Sequence, residues 1–136
     1  FILENVPMKK KFYHPVSFLD NYDLIKLMKI ANLVVARAGA GTIFELAACG
    51  VPAILIPLRR DVGGEHQIKN AYSYADAGAA IVIEEQNLFP DLLATIIINT
   101  LKDEKLLKEM SDNAKNFAKI EATDKIVKQM IILLNK

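Results

Sequence analysis

The stretch LVVARAGAGTIFELAACGVPAILIP, residues 33–57, decides the fold. It opens on four apolar residues, 33–36, which read as a strand covered on both faces. Arg37 follows, then a turn containing Gly39 and Gly41. Residues 42–49 read as a short apolar helix, with Gly50 where a helix stop belongs. Residues 53–56 are a second fully apolar strand between Pro52 and Pro57. Two such strands joined through one helix cannot form a hairpin. They predict a parallel pair, in which each crossover runs through a helix.

The same alternation extends in both directions. Upstream, residues 16–19 predict a short strand, and Asp20 or Asn21 can cap a helix over 22–31. Leu24, Ile25, Leu27, Met28 and Ile30 would form its buried side. Downstream, 57–64 is a charged loop with two glycines. A helix over 65–77 ends at Gly78, and residues 79–83 make a fourth apolar strand. Helices follow over 89–102, 104–118 and 123–134. In these, Leu93, Leu101, Leu106, Leu107, Met110, Phe117, Ile126, Met130, Ile131 and Leu134 are spaced as buried faces. A core role is expected of the last helix in preference to a membrane-lying one, because Asp124, Lys125 and Lys128 make only a thin polar face. Residues 1–3 could be a strand end and 4–13 a loop. The predicted class is α/β, a Rossmann-like parallel sheet flanked by helices. The chain opens on Phe1 in what reads as the tail of an ordered segment, which suggests a piece of a longer protein forming one partial domain over 1–136.

Composition narrows the function classes. The chain has 136 residues, 52% hydrophobic and 7% aromatic, enough apolar material for a real core. A net charge of +1 offers no global field for nucleic acid. Lys9, Lys10 and Lys11 are the one basic run, and three lysines read as a solvated loop. The single cysteine, Cys49, excludes an internal disulfide and reads as an inert thiol in an apolar helix. No run approaches the roughly 18 apolar residues of a membrane span. His14 and His66 have no cysteine or second histidine at metal-ligand spacing, so no metal site and no cofactor are expected. No Gly-x-Ser-x-Gly nucleophile is present either.

In open parallel sheets, ligands bind beyond the carboxyl ends of the strands. Three loops are expected there: 19–21, 37–42 and 58–64. The turn Ala38-Gly39-Ala40-Gly41-Thr42 lets backbone come close to a ligand, and the helix behind it offers unpaired amides and a positive dipole end. Phosphate is the usual guest of such a site. The run is neither a dinucleotide fingerprint, since Phe44 stands where a third glycine belongs, nor a P-loop. A tight turn with no ligand explains the spacing equally well. Thr42 and Glu45 fit a capping box, so Glu45 reads first as a helix cap and second as an acceptor for sugar hydroxyls. His66, Gln67 and Asn70 open the next helix; Gln67 and Asn70 share a face, suited either to solvent or to sugar hydroxyls.

These residues stand in a known order. FLD at 18–20, the run through Arg37, Gly39, Ala40, Thr42, Glu45, Gly50, Pro52 and Pro57, and His66-Gln67-x-x-Asn70-Ala71 together resemble the MurG family, from about residue 14 onward. Those bacterial transferases move N-acetylglucosamine from UDP-N-acetylglucosamine onto undecaprenyl-linked muramoyl-pentapeptide in peptidoglycan synthesis. The resemblance implies the GT-B architecture, of which this chain would be most of the C-terminal, donor-binding domain. It implies that the Leu19 backbone meets uracil, that Ala40, Gly41 and Thr42 give amides to the diphosphate, and that Glu45 holds the ribose. Gln67 and Asn70, with His66 beside them, would hold N-acetylglucosamine. Arg37 fits a loop-ordering role better than a ligand role.

The chemistry so implied is inversion at the anomeric carbon without a metal, with helix dipoles and amides stabilising the leaving UDP. The catalytic base, the acceptor site and the membrane-facing surface would belong to an N-terminal domain not in this sequence. This chain alone would then be inactive. The full-length protein would work at the inner face of the plasma membrane. Two features depart from the family pattern: Gly41 replaces a larger apolar residue, and the loop 58–64, with Arg59 and Arg60, is slightly longer. The rival readings are a non-catalytic nucleotide-sugar-binding subunit of a split transferase, a related glycolipid glycosyltransferase, or an α/β module with no nucleotide site.

Overall fold

A computed structural model describes residues 12–119 and 121–134. The expected strand end at 1–3 and the Lys9–Lys11 loop lie outside these residues. The described chain runs α1 (Asn21–Ile30), β1 (Val34–Ala36), α2 (Ala40–Cys49), β2 (Ala53–Leu55), α3 (Glu65–Asp76), β3 (Ala80–Val82), α4 (Pro90–Lys102), α5 (Glu104–Phe117) and α6 (Ala122–Leu134). The strands form one parallel sheet in the order β1-β2-β3, with Val34 opposite Ala53 and Ala53 opposite Ala80. Every expected helix and three of the four expected strands are present, with ends shifted by one or two residues. The fold is α/β and Rossmann-like.

Strand alternation sorts the core into two layers. Val34, Ala53, Leu55, Ala80 and Val82 face one side and pack with Ile43, Leu46 and Ala47 of α2, Ala71 and Tyr74 of α3, and Ala114 of α5. Ile54, Ile56 and Ile83 face the other side and meet Leu93, Ile96 and Ile97 of α4. Both crossovers therefore share one face, and α4 covers the opposite one.

The ends of α2 and α3 are built alike. Gly50 and Gly78 take left-handed backbone angles (φ 65° and 76°), and the following amides, Val51 and Ala79, reach back to Leu46 and Tyr74. This is the glycine stop that the sequence predicts. From α5, the Ser111 hydroxyl donates to the Gly50 carbonyl at 2.6 Å and Asn113 Nδ2 to the Gly78 carbonyl at 3.2 Å. One helix thus clamps both crossovers at the end away from the carboxyl edge of the sheet.

Five expectations are corrected. Residues 16–19 are not a strand: no described strand pairs with them, and Val16 and Phe18 are exposed. β1 is not covered on both faces, because α4 reaches β2 and β3 but not Val35, which is 42% exposed. In α1 only Met28 is buried and Leu24 partly so; Ile25, Leu27 and Ile30 are exposed, since one neighbouring helix covers only a narrow stripe. In α6 every described side chain is exposed, Leu134 at 82%, so Ile126, Met130, Ile131 and Leu134 do not join the core. Leu101 is exposed as well, whereas Met110 is buried as expected.

Candidate functional site

Parallel strands bring all their carboxyl ends to one edge. There β1 runs into Arg37, β2 into the loop ending at Gly64, and β3 into the segment around Glu84 and Glu85. The loop after β3 is a segment of this edge that the sequence reading did not include, and residues 19–20 form the extended approach to α1. Leu19 itself is half-buried there and makes no hydrogen bond among the described residues.

The helix starts differ in a way that bears on ligands. Asp20 caps α1 by accepting from the Asp23 amide at 2.8 Å, and Asp103 caps α5 by accepting from the Leu106 amide at 2.9 Å. At the carboxyl edge, α2 and α3 begin instead behind Gly39 and Gly64, which have no side chain to offer. The first bond of α2 runs from the Ile43 amide to the Gly39 carbonyl at 3.0 Å. The amides of Ala40, Gly41 and Thr42 are left without acceptors, as the first turn of any uncapped helix must be. A Cβ on Gly41 would meet nothing within 4 Å, so the approach to these amides is open. An aspartate cap would fill this place and repel an anion; glycine leaves it to a ligand.

The capping-box reading of Glu45 is corrected by the same geometry. The helix starts at Ala40, which puts Thr42 inside its first turn, so the two residues cannot form the reciprocal pair. Glu45 is half-buried one turn further in, with no hydrogen bond or ion pair among the described residues.

Gln67 and Asn70 are half-buried, and each makes a side-chain hydrogen bond to a neighbouring loop. Gln67 Oε1 accepts from the Leu58 amide at 3.1 Å, tying α3 to the loop after β2. Asn70 Nδ2 donates to the Ala38 carbonyl at 3.3 Å, tying α3 to the turn after β1. Each keeps its other polar atom, Gln67 Nε2 and Asn70 Oδ1, without a partner among the described residues. His66, beside them, is exposed. Ala40, Gly41, Thr42, Glu45, Gln67 and Asn70 are thus gathered at two adjoining helix starts, whereas Leu19 is not tied to them by any hydrogen bond.

Arg37 orders loops as expected, but its partner Glu85 and one groove escaped the sequence reading. Arg37 donates through Nη1 to the carbonyls of Ile56 (3.1 Å) and Pro57 (3.4 Å), and through Nη2 to Glu85 Oε1 (2.5 Å). The guanidinium holds the Glu85 carboxyl below its usual pKa. The other feature is an open groove of about 1050 Å³ on the far side of α3, among Arg59, Arg60, Tyr72, Asp76, Glu84 and Glu85. Much of its polar lining is already paired internally: Arg59 with Asp61, the Tyr72 hydroxyl with Glu84. The position of Glu84 and Glu85 just past an apolar strand was the available signal for both features.

A parallel α/β sheet with two glycine-started helices at its carboxyl edge defines a Rossmann-like domain suited to an anionic ligand. Residues 3–129 match the family described as the glycosyltransferase family 28 C-terminal domain, and the chain belongs to that family. It is 38% identical over 125 residues to a UDP-N-acetylglucosamine--N-acetylmuramyl-(pentapeptide) pyrophosphoryl-undecaprenol N-acetylglucosamine transferase of Rippkaea orientalis, covering 90% of this chain and 35% of the relative. To the transferase of the same name from Acetivibrio thermocellus it is 46% identical over 105 residues, 77% of this chain and 28% of the relative. The crystal structure of Acinetobacter baumannii MurG superposes with a TM-score of 0.72 at 34% identity, over 84% of this chain and 32% of that one. The chain therefore spans about a third of the length of these relatives. Among the described residues no helix is long and apolar enough to cross a membrane.

Proposed function

We propose that this chain is the donor-binding C-terminal part of an inverting N-acetylglucosaminyltransferase that takes UDP-N-acetylglucosamine in the lipid-linked step of peptidoglycan synthesis. The observation that carries the reading is the start of α2. Its amides are uncapped, open and unpaired at the carboxyl edge, while α1 and α5 carry aspartate caps. The names of the relatives supply the donor and the lipid-linked acceptor.

In this reading the amides of Ala40, Gly41 and Thr42 receive the diphosphate, and the helix dipole stabilises UDP as it leaves. Glu45, unpaired one turn away, accepts from the ribose hydroxyls. Gln67 Nε2 and Asn70 Oδ1, the free ends of two amides already fixed by the loops, meet the hydroxyls of N-acetylglucosamine, with His66 at the rim. The Leu19 backbone borders the uracil. The acceptor and the catalytic base belong to an N-terminal domain, through which the whole protein meets the cytoplasmic face of the membrane. Nucleic acid has no part in this scheme. Without that domain the chain binds donor but does not transfer it.

Titration of UDP-N-acetylglucosamine into the full gene product tests the reading, with Glu45→Ala and Asn70→Ala beside it. A lost hydrogen bond to a charged group costs about 1.5–3 kcal/mol, so Glu45→Ala should weaken binding by tenfold or more. Asn70→Ala should weaken the sugar nucleotide more than UDP. Unchanged affinity in both variants would sink the assignment.

A further inference from the structure

Arg37 stands in the loop after β1 and bonds to both of the loops that follow β2 and β3. It directly follows β1 and precedes the Ala38–Gly39 turn that aims the first amides of α2. Its Nη1 takes two successive carbonyls at the end of β2, and its Nη2 takes Glu85 beyond β3. On the other side of the turn, Asn70 holds the Ala38 carbonyl. The turn is therefore pinned from both flanks, by a guanidinium and by an amide.

The pair of Arg37 and Glu85 is a poor candidate for stability alone. The two side chains are 46% and 28% exposed, and ion pairs this open contribute little to folding. What the arrangement does supply is geometry. A guanidinium has a planar fork of fixed donors, so it can meet two carbonyls and a carboxylate at set angles, which an ammonium cannot. A displacement of about 1 Å in a binding group can cost two orders of magnitude in function.

We propose that Arg37 and Glu85 form a brace that positions the amides of Ala40, Gly41 and Thr42 for the diphosphate, Arg37 acting through the turn and not by touching the ligand. The inference rests on the donor-site reading above. It also makes the loop after β3 part of donor recognition, although none of its side chains need reach the nucleotide.

The sign of the Glu85 effect separates this from direct phosphate contact. If Arg37 bound phosphate itself, Glu85 would compete for the guanidinium and repel the ligand, so Glu85→Ala would tighten UDP. A brace predicts the opposite. The experiment compares UDP with uridine, which lacks the diphosphate, on the full gene product and on Arg37→Ala, Arg37→Lys, Glu85→Ala and the double alanine variant.

Arg37→Ala should weaken UDP tenfold or more and leave uridine within about twofold, a loss of that size being about 1.4 kcal/mol. Arg37→Lys should behave like Arg37→Ala, since it keeps the charge and loses the fork. Glu85→Ala should weaken UDP severalfold, and the double variant should be no worse than Arg37→Ala, as expected of coupled partners. Tighter or unchanged UDP binding by Glu85→Ala overturns the brace. Equal losses for UDP and uridine overturn it too, by showing a general structural role. If the unaltered protein binds uridine but gains nothing from the diphosphate, the donor-site reading falls and the brace with it.

Discussion

Gly64→Ala should cost about 3 kcal/mol or more of folding stability, one of the largest effects available from adding a single methyl group to this chain. The reason is space and not backbone angle. Gly64 has φ −81°, which any residue adopts, but a Cβ there would stand 2.0 Å from the Leu58 carbonyl oxygen and 2.6 Å from that of Arg59. Both are backbone atoms of the same tight loop, and the Gly64 amide itself donates to the Arg59 carbonyl at 2.9 Å. Nothing flexible can yield, so the loop must open. Opening it separates Gln67 from the Leu58 amide and displaces the start of α3. Denaturant unfolding should show a lower midpoint at an unchanged slope, and UDP-N-acetylglucosamine affinity should fall with it. Gly41→Ala is the control for stability: its Cβ meets nothing within 4 Å, so the midpoint should hold or rise slightly. Equal midpoints for the two variants would show that the loop adapts.

The second large effect is at Tyr74, where two substitutions should act in opposite directions. Tyr74 is fully buried in α3, edge-on to Phe117 at 5.0 Å between ring centres. Tyr74→Ala would leave a ring-sized cavity at the junction of α2, α3 and α5 and should cost about 3–5 kcal/mol. Its hydroxyl, however, has no hydrogen-bond partner among the described residues. Tyr74→Phe removes only that unpaired group and should be neutral or stabilising by about 1 kcal/mol.

Burial also pushes the Tyr74 pKa from 10.0 up to about 12. Below pH 10 the residue is neutral in both folded and unfolded chains, so its contribution to stability is fully present. Between pH 10 and 12 the unfolded tyrosine ionises and the folded one does not. Stability is lost across that window, by roughly 2–3 kcal/mol at its end. The stability difference between Tyr74→Phe and the parent should therefore widen from pH 9 to pH 12. A constant difference would mean that the folded hydroxyl ionises as readily as the unfolded one, and that burial does not raise its pKa.

Much of the fold was legible because its signals are local. The glycine stops at Gly50 and Gly78, the aspartate cap at Asp20 and the apolar strands 53–56 and 79–83 each depend on a few neighbouring residues. The backbone angles and bonds they predict do not need a partner from elsewhere. Strand 16–19 failed because a strand is made by its neighbour, and no described strand lies beside it. The buried faces assigned to α1 and α6 failed for a related reason. Periodicity says which side chains share a face, and only the opposing element decides whether that face is covered.

The candidate site divides along the same line. By itself the sequence determined the parallel α/β order, the glycine-containing turn before α2, and the polar residues that gather at the next helix start. Hydrogen-bond capacity and glycine backbone freedom are properties of residues and short segments, so they can be read in order along the chain. Tertiary structure alone decided that Glu45 is no cap, that Gln67 and Asn70 hold loops as well as offering free ends, and that Arg37 reaches Glu85. Those contacts join residues far apart in sequence, Asn70 to Ala38 across 32 positions and Arg37 to Glu85 across 48. They exist because parallel strands return every carboxyl end to one edge, and no local pattern records which side chains will meet there.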